Sequence, residues 1–341
     1  MTRLLVTGGA GFIGSAFVRR ALSRSDVSAV VVLDKLTYAG NRANLAECEA
    51  DPRYRFDQAD INDARTVDLA MRDVDVVVNF AAESHVDRSI EAADAFVQTD
   101  VHGVFVLLEA ARRHAIRRFL QVSTDEVYGD VSAGASVETD PLKPRSPYAA
   151  SKAGGDLLAL AYQATHGLPV LVTRGSNTYG PYQYPEKLIP LFITNAIDGE
   201  PLPLYGDGLQ VRDWLHVDDH CAGIETVLVA GEPGEIYNIG GGAPSTNLDL
   251  SRTLLRLLDR PESLLRSVAD RPGHDRRYAL DWSKLAGLGW KPQLDLASGL
   301  ATTVAWYQAN ESWWRAIKEG SFTDYYRRQY GERLASGLPV E

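Results

Sequence analysis

Two cysteines, Cys48 and Cys221, and two methionines are all the sulfur in a chain of 341 residues. Two cysteines cannot build a disulfide framework, and no C-x-x-C spacing occurs, so a disulfide-stapled secreted scaffold and a thiolate metal site are both excluded. No histidine set has metal-ligand spacing either. The sequence also lacks any run of about 18 apolar residues, so no helix is expected to span a membrane. Positive charge is in deficit: 35 Lys and Arg stand against 45 Asp and Glu, a formal net charge of −10. General nucleic-acid or membrane-surface binding needs the opposite balance, so neither partner is expected. An anionic ligand must then be met by a local basic cluster. The opening MTRLLVTGGAGFIG reaches glycine too early for a signal peptide. With 23% charged and 45% hydrophobic residues, usage is ordinary for a globular protein, and a cytoplasmic location is the expectation.

Short β-branched runs alternate with helical patterns through the first half. Strands are expected at residues 4–7, 29–34, 54–58, 76–81, 119–123 and 168–174, with helices starting near Gly11 and Tyr148 and a long one over 93–114. Apolar runs of this length between helices indicate a parallel sheet covered on both faces, a doubly wound α/β architecture of the Rossmann kind. After about Pro181 proline and glycine become frequent and strand signals scatter, as at 235–239, while helical periodicity persists over 187–197, 219–228, 248–258 and 296–314. The expected organisation is a dinucleotide-binding domain over 1–180 and a smaller, mainly substrate-binding α/β domain over 181–341, with some later chain crossing back. The aromatic cluster Trp306, Tyr307, Trp313 and Trp314 reads as core or domain-packing surface.

Gly8-Gly9-Ala10-Gly11-Phe12-Ile13-Gly14 lies between the first strand and the first helix and satisfies G-x-G-x-x-G from Gly9. Glycine is needed where backbone turns tightly against a pyrophosphate, and the helix N-terminus offers free amides to the phosphates. Asp34 ends the second strand 20 positions after Gly14, where a carboxylate bonds ribose hydroxyls and repels a 2′-phosphate. NAD is therefore expected over NADP, with Lys35 pulling slightly the other way. Asp60 and Ile61 fall either at an adenine edge or in a simple turn.

Tyr148 and Lys152 share one face of a helix opened by Pro147. A free tyrosine ionises near about pH 10, and a neighbouring cation is expected to lower that value and make the phenol a base. These residues resemble the extended short-chain dehydrogenase/reductase superfamily, and the resemblance implies a third catalytic hydroxyl at Thr124. Asp125 and Glu126 follow directly. Alcohol oxidation alone does not need them; two acids suit a reaction that also moves a carbon-bound proton and expels water, one carboxylate charged and the other neutral. By spacing alone, TDE also reads as a solvated turn.

Taken together, TGGAGFIG, AAESHVDRSI, STDEVYG, SPYAASKA, NTYGPYQYPEKLIPLF, RDWLHVDDH, YNIGGG and ADRPGHDRRYALD resemble the dTDP-glucose 4,6-dehydratases, over 2–307. The residues beyond add no motif. The resemblance implies a lyase that oxidises C4 of dTDP-D-glucose, eliminates water across C5 and C6, and returns hydride to C6 from tightly bound NADH, giving dTDP-4-dehydro-6-deoxy-D-glucose. Glu126 is the implied base at C5 and Asp125 the implied acid at C6. The implied cofactor contacts are Gly8, Gly11, Phe12, Ile13, Gly14, Asp34, Lys35, Leu36, Thr37, Asp60, Ile61, Ala81, Ala82, Ser84, Thr99, Tyr148, Lys152 and Thr178. The implied nucleotide-sugar contacts are Ser84, Thr124, Asn177, Lys187, Leu188, Ile189, Pro190, Leu191, Phe192, Pro203, Leu204, Tyr205, Arg212, Asn247, Arg271 and His274. Lys187, Arg212 and Arg271 supply the local positive charge a diphosphate needs.

Two positions depart from the family, which often has Cys-Ser-Asn-Asn-Tyr where this chain has Gly175-Ser176-Asn177-Thr178-Tyr179. The shorter Thr178 is expected to weaken a contact to NAD. His85 reads as ordering its loop and His102 as packing in the long helix. A homodimer through the helices near 93–114 and 148–166 is the family expectation. A UDP-sugar 4-epimerase, a decarboxylase, or an NAD-binding regulator without catalysis remain the alternatives.

Overall fold

A computed structural model of the chain describes residues 1–340. In chain order its strands are β1 (Thr2–Thr7), β2 (Val27–Asp34), β3 (Tyr54–Gln58), β4 (Val76–Asn79), β5 (Arg118–Thr124), β6 (Val170–Gly175), β7 (Asn177–Tyr179), β8 (Leu202–Tyr205), β9 (Val211–His216), β10 (Ile236–Ile239), β11 (Pro244–Thr246), β12 (Leu265–Val268) and β13 (Leu338–Pro339). Seven of them form one sheet in the order β10-β6-β5-β4-β1-β2-β3, all neighbours parallel. This is the doubly wound order the β-branched runs indicated, extended at one edge by β10, so the later chain does return to the first sheet. The order reverses between β1 and β4, and in such sheets the crevice outside the carboxyl ends at that point receives ligand.

Two three-stranded sheets, β11-β9-β7 and β13-β12-β8, belong to the second half. They pack with the helices Leu188–Asp198, Asn247–Leu257 and Leu296–Ala309 around a separate apolar core that contains Tyr179, Phe192, Leu254, Tyr307 and Trp314. The aromatic cluster divides as expected. Tyr307 and Trp314 are fully buried in this core, whereas Trp313 Nε1 reaches Asn44 Oδ1 of the first half at 3.0 Å.

The helix Pro147–His166, which carries the tyrosine and lysine, is defined at both ends. Ser146 Oγ caps it by accepting from the Ala149 amide, proline fills the first turn, and Gly167 closes it in the left-handed conformation. Two expected helices are broken. The stretch 93–114 is not one helix: Asp94–Val97 runs into a π turn at Gln98–Gly103 before Val104–Arg113. The pattern over 296–314 breaks at Asn310, between Leu296–Ala309 and Glu311–Lys318. The π turn matters for function, because it directs Thr99 and Asp100 into the interior.

Candidate active site

A single cleft opens at the carboxyl ends of β1 and β4 and runs across to Tyr148, Lys152 and Lys187. Gly8, Gly11, Phe12, Ile13 and Gly14 form one wall. Gly8 has φ +67°, and a Cβ on it would lie 2.5 Å from the Ala81 amide nitrogen, so no other residue fits this turn. Asp34 is buried behind the loop, its Oδ2 accepting from the Ala10 amide at 3.0 Å and its Oδ1 from Leu36 at 2.8 Å. Burial raises its pKa against the pull of these two amides. Lys35 is drawn to Asp60 Oδ2 at 3.3 Å, and Asp60 also holds the Asn62 amide, so the carboxylate makes the turn and lines the cleft at once. Thr37, Ile61, Ala81, Ala82, Ser84 and Thr99 line it too, whereas Leu36 does not. Among the described residues Thr99 Oγ1 and Asn177 Oδ1 are buried without partners. A long ligand with hydroxyls and amides fits such donors and acceptors, which supports a dinucleotide along this wall.

At the far end the expected acid–base residues meet. Lys152 Nζ donates to the Val122 carbonyl at 2.8 Å. Thr124 Oγ1 is shared: it accepts from the Glu126 amide, donates to Asp125 Oδ1 (both 3.3 Å) and is hydrogen-bonded with the Tyr148 phenol. The expected lowering of the tyrosine is not what this geometry gives. Burial first, then the charges of Glu126 and Asp100, push the Tyr148 phenol well above its ordinary value. Burial and these carboxylates therefore favour the protonated phenol.

The adjacent acids occupy different surroundings. Asp125 is buried, its Oδ2 has no partner, and burial together with Glu126 and Asp213 drives its pKa well up. Glu126 opens partly to the cleft; burial raises it, but Arg271, Lys187 and Arg212 act in the other direction. A neutral Asp125 beside an ionisable Glu126 is the split that acid–base elimination requires.

The three cations expected from the sequence converge on Glu126. Lys187 Nζ donates to the Ser84 carbonyl, and desolvation lowers its pKa. Arg212 is buried over the Tyr278 ring at 4.4 Å, and its nitrogens bond only the backbone carbonyls of Val211 and Asp275, at 2.8 and 2.9 Å, with the Arg276 carbonyl at 3.5 Å. Arg271 pairs with Asp87 at 3.1 Å but its Nε has no partner. Asn247 Oδ1 is likewise buried and unpartnered, and His274 Nδ1 holds Asp270 at 2.6 Å. Not every implied contact lies here. The side chains of Ile189, Pro190, Leu191 and Phe192 are buried within their helix, and those of Pro203 and Leu204 within β8, and none of the six lines the cleft. Leu188 packs against the same core, while Tyr205 is partly exposed.

Sequence reading missed Tyr278, which lies under Arg212, and Gln183, Tyr184, Glu186 and His220, which line the cleft. All five stood inside quoted motifs, but nothing in their spacing set them apart. Thr178 does line the cleft, yet its hydroxyl is spent on the Ser176 carbonyl at 3.1 Å and His220 Nδ1 at 2.8 Å. His85 is buried beside Tyr325, whereas His102 is exposed and bonds Asn62 at 2.8 Å rather than packing. Among the described residues no group of His, Cys, Asp and Glu could hold a metal ion, and no helix is long and apolar enough to cross a membrane.

Comparison with known proteins agrees with this geometry. The family described as GDP-mannose 4,6 dehydratase matches residues 5–303. A dTDP-glucose 4,6-dehydratase of Actinoplanes sp. is 56% identical over 318 residues, covering 92% of this chain and 99% of its own. DesIV, the dTDP-glucose 4,6-dehydratase of Streptomyces venezuelae solved with NAD and dTDP bound, superposes with a TM-score of 0.92 at 56% identity, over 93% of this chain and 100% of its own. The Bacillus anthracis dTDP-glucose 4,6-dehydratase, solved with NAD, gives a TM-score of 0.87 at 47% identity over the same shares. At this identity over nearly the full length of both chains, the protein belongs to the dTDP-glucose 4,6-dehydratase family.

Proposed function

We propose that this chain dehydrates dTDP-D-glucose to dTDP-4-dehydro-6-deoxy-D-glucose, a lyase reaction with NAD as a cofactor restored in every cycle. The observation that carries it is the Asp125–Glu126 pair: Asp125 is buried with Oδ2 unpartnered and its pKa driven up by burial, and Glu126 faces the charges of Arg271, Lys187 and Arg212. Gly8, Gly11, Asp34, Thr99 and Lys152 hold NAD along the glycine-loop wall. When bound, NAD supplies hydride chemistry, accepting at the sugar C4 and giving back at C6.

The protein's own residues move the protons. Tyr148, hydrogen-bonded to Thr124, takes the proton of the C4 hydroxyl, and Lys152 on the next helical turn stabilises the phenolate. The resulting 4-ketone acidifies C5–H, which the Glu126 carboxylate removes. Asp125 gives its proton to the C6 hydroxyl, which leaves as water, and Glu126 afterwards returns a proton to C5. Lys187, Arg212 and Arg271 neutralise the diphosphate and, being close to Glu126, favour its charged form. Residues 1–180 serve as the cofactor unit and 181–341 mainly as the nucleotide-sugar unit.

Two copies pair through the helices Val104–Arg113 and Pro147–His166, where Phe105 and Leu157 stay exposed at 42% and 58%. The two buried, unpaired cysteines suit the cytoplasm. The decisive test is incubation of NAD-loaded protein with dTDP-glucose. A dTDP-4-keto-6-deoxy sugar is expected; a C4 epimer alone, or no ketone, refutes the proposal.

A further inference from the structure

The chain beyond Tyr307, which offered no motif, reaches Asp87, the partner of Arg271. The helix Ser321–Ala335 sets Tyr325, Gln329 and Arg333 at i, i+4 spacing on one face. Gln329 is buried, with Nε2 2.9 Å from Asp87 Oδ2 and 2.7 Å from the Tyr205 hydroxyl. That hydroxyl donates to the same Asp87 oxygen at 2.9 Å. The other oxygen, Oδ1, takes Arg271 Nη1 at 3.1 Å. Both N–H bonds of the amide are engaged, and the three groups close a triangle around Asp87 Oδ2. Four segments far apart in sequence meet there: the helix Val86–Glu91, β8, the loop carrying Arg271, and the C-terminal helix.

The triangle has a consequence for Arg271. An arginine beside an unconstrained carboxylate closes onto both oxygens in a bidentate pair. Asp87 is a strong candidate for that trap. Burial alone would raise its pKa, but Arg271, His85 and Tyr205 outweigh it and keep the group ionised. With Oδ2 saturated by Tyr205 and Gln329, only Oδ1 is left for Arg271, and among the described residues its buried Nε has no partner.

We propose that Gln329 is a positioning residue for diphosphate recognition: by occupying Asp87 Oδ2 it keeps Arg271 singly paired and turned toward the nucleotide. The proposal rests on the dTDP-sugar reading of the cleft. The test uses the full chain loaded with NAD, and measures steady-state kinetics with dTDP-glucose together with calorimetric binding of dTDP. Gln329→Met keeps length and volume but cannot donate; Gln329→Glu keeps polarity but adds a carboxylate in place of the donor. Both are expected to raise KM for dTDP-glucose and Kd for dTDP by about fivefold to tenfold, with kcat within about twofold of wild type. In an Arg271→Lys background, which cannot make the bidentate pair, the effect of Gln329→Met should vanish. Unchanged KM and Kd, a fall in kcat alone, or full additivity with Arg271→Lys overturns the proposal. Wild-type turnover separates the two ideas. If wild type makes the ketone and the Gln329 variants match it, this inference fails and the function stands; if wild type makes none, the function fails and the dTDP titrations still decide this inference.

Discussion

Replacing Glu126 by Gln removes one negative charge from among Lys187, Arg212 and Arg271 while leaving the side chain's shape unchanged. Among the described residues the Glu126 carboxylate has no hydrogen-bond donor; its backbone amide donates to Thr124 Oγ1 and its carbonyl accepts from the Gly129 amide. The substitution therefore breaks no protein contact, and the stability change should stay within about 0.5 kcal/mol, a thermal midpoint within about 2 °C. Catalysis is another matter. A positioned general base contributes about 10²–10⁴ in rate, so ketone formation should slow by that factor, about 2.7–5.4 kcal/mol of barrier. KM for dTDP-glucose should fall, because an anion that competes with the diphosphate for three cations is gone. Burial also raises Glu126, so wild-type activity should decline with acid at a higher pH than an exposed glutamate would give, and that limb should disappear in the variant. The assay follows the 4-keto-6-deoxy product and deuterium uptake from solvent at C5. A kcat within tenfold of wild type, or undiminished C5 exchange in the variant, would refute the assignment of Glu126 as the base.

Three further outcomes follow from other parts of the molecule. Gly175→Ala places a Cβ 2.5 Å from His220 Cε1 and displaces the ring that bonds Thr178, which should cost about 2–3 kcal/mol in urea unfolding; a neutral result would mean that His220 moves freely. Burial pushes Asp100 from its ordinary 3.8 up to about 6. A raised folded value gives stability that is full below pH 4 and is lost as pH climbs through 6, so Asp100→Asn should abolish this slope and be worth about 2–3 kcal/mol at pH 7, read from urea midpoints across that window. Leu157→Asp charges an exposed apolar position, 58% accessible, and should convert dimers to monomers by mass in solution with the thermal midpoint of the fold little changed; a dimer of unchanged mass removes this face from the interface.

The parallel sheet was legible because strands buried on both faces must be continuous apolar runs, and Val76–Asn79 is buried at every position while Val27–Asp34 is buried over its last three. The π turn at Gln98–Gly103 was not legible, since one extra residue per turn hardly disturbs an apolar pattern over 93–114. The tyrosine–lysine spacing did not give the direction in which the phenol is shifted. Spacing says that the two side chains share a face, but not that Lys152 is tied to the Val122 carbonyl or that Glu126 and Asp100 stand near the phenol. Similarly, 189–192 is apolar for its own core's sake, and those side chains are buried there rather than lining the cleft. The two departures at 175 and 178 show what separate reading loses. Each looked like a deletion of a contact, a missing side chain and a shortened amide. In the structure His220 occupies the space that Gly175 leaves and bonds the hydroxyl that Thr178 brings. A larger residue at 175 would exclude the ring, and without the ring Thr178 would lose its partner. The pair is one compensated change, and its third member lies more than forty residues along the chain, where only the fold reveals it.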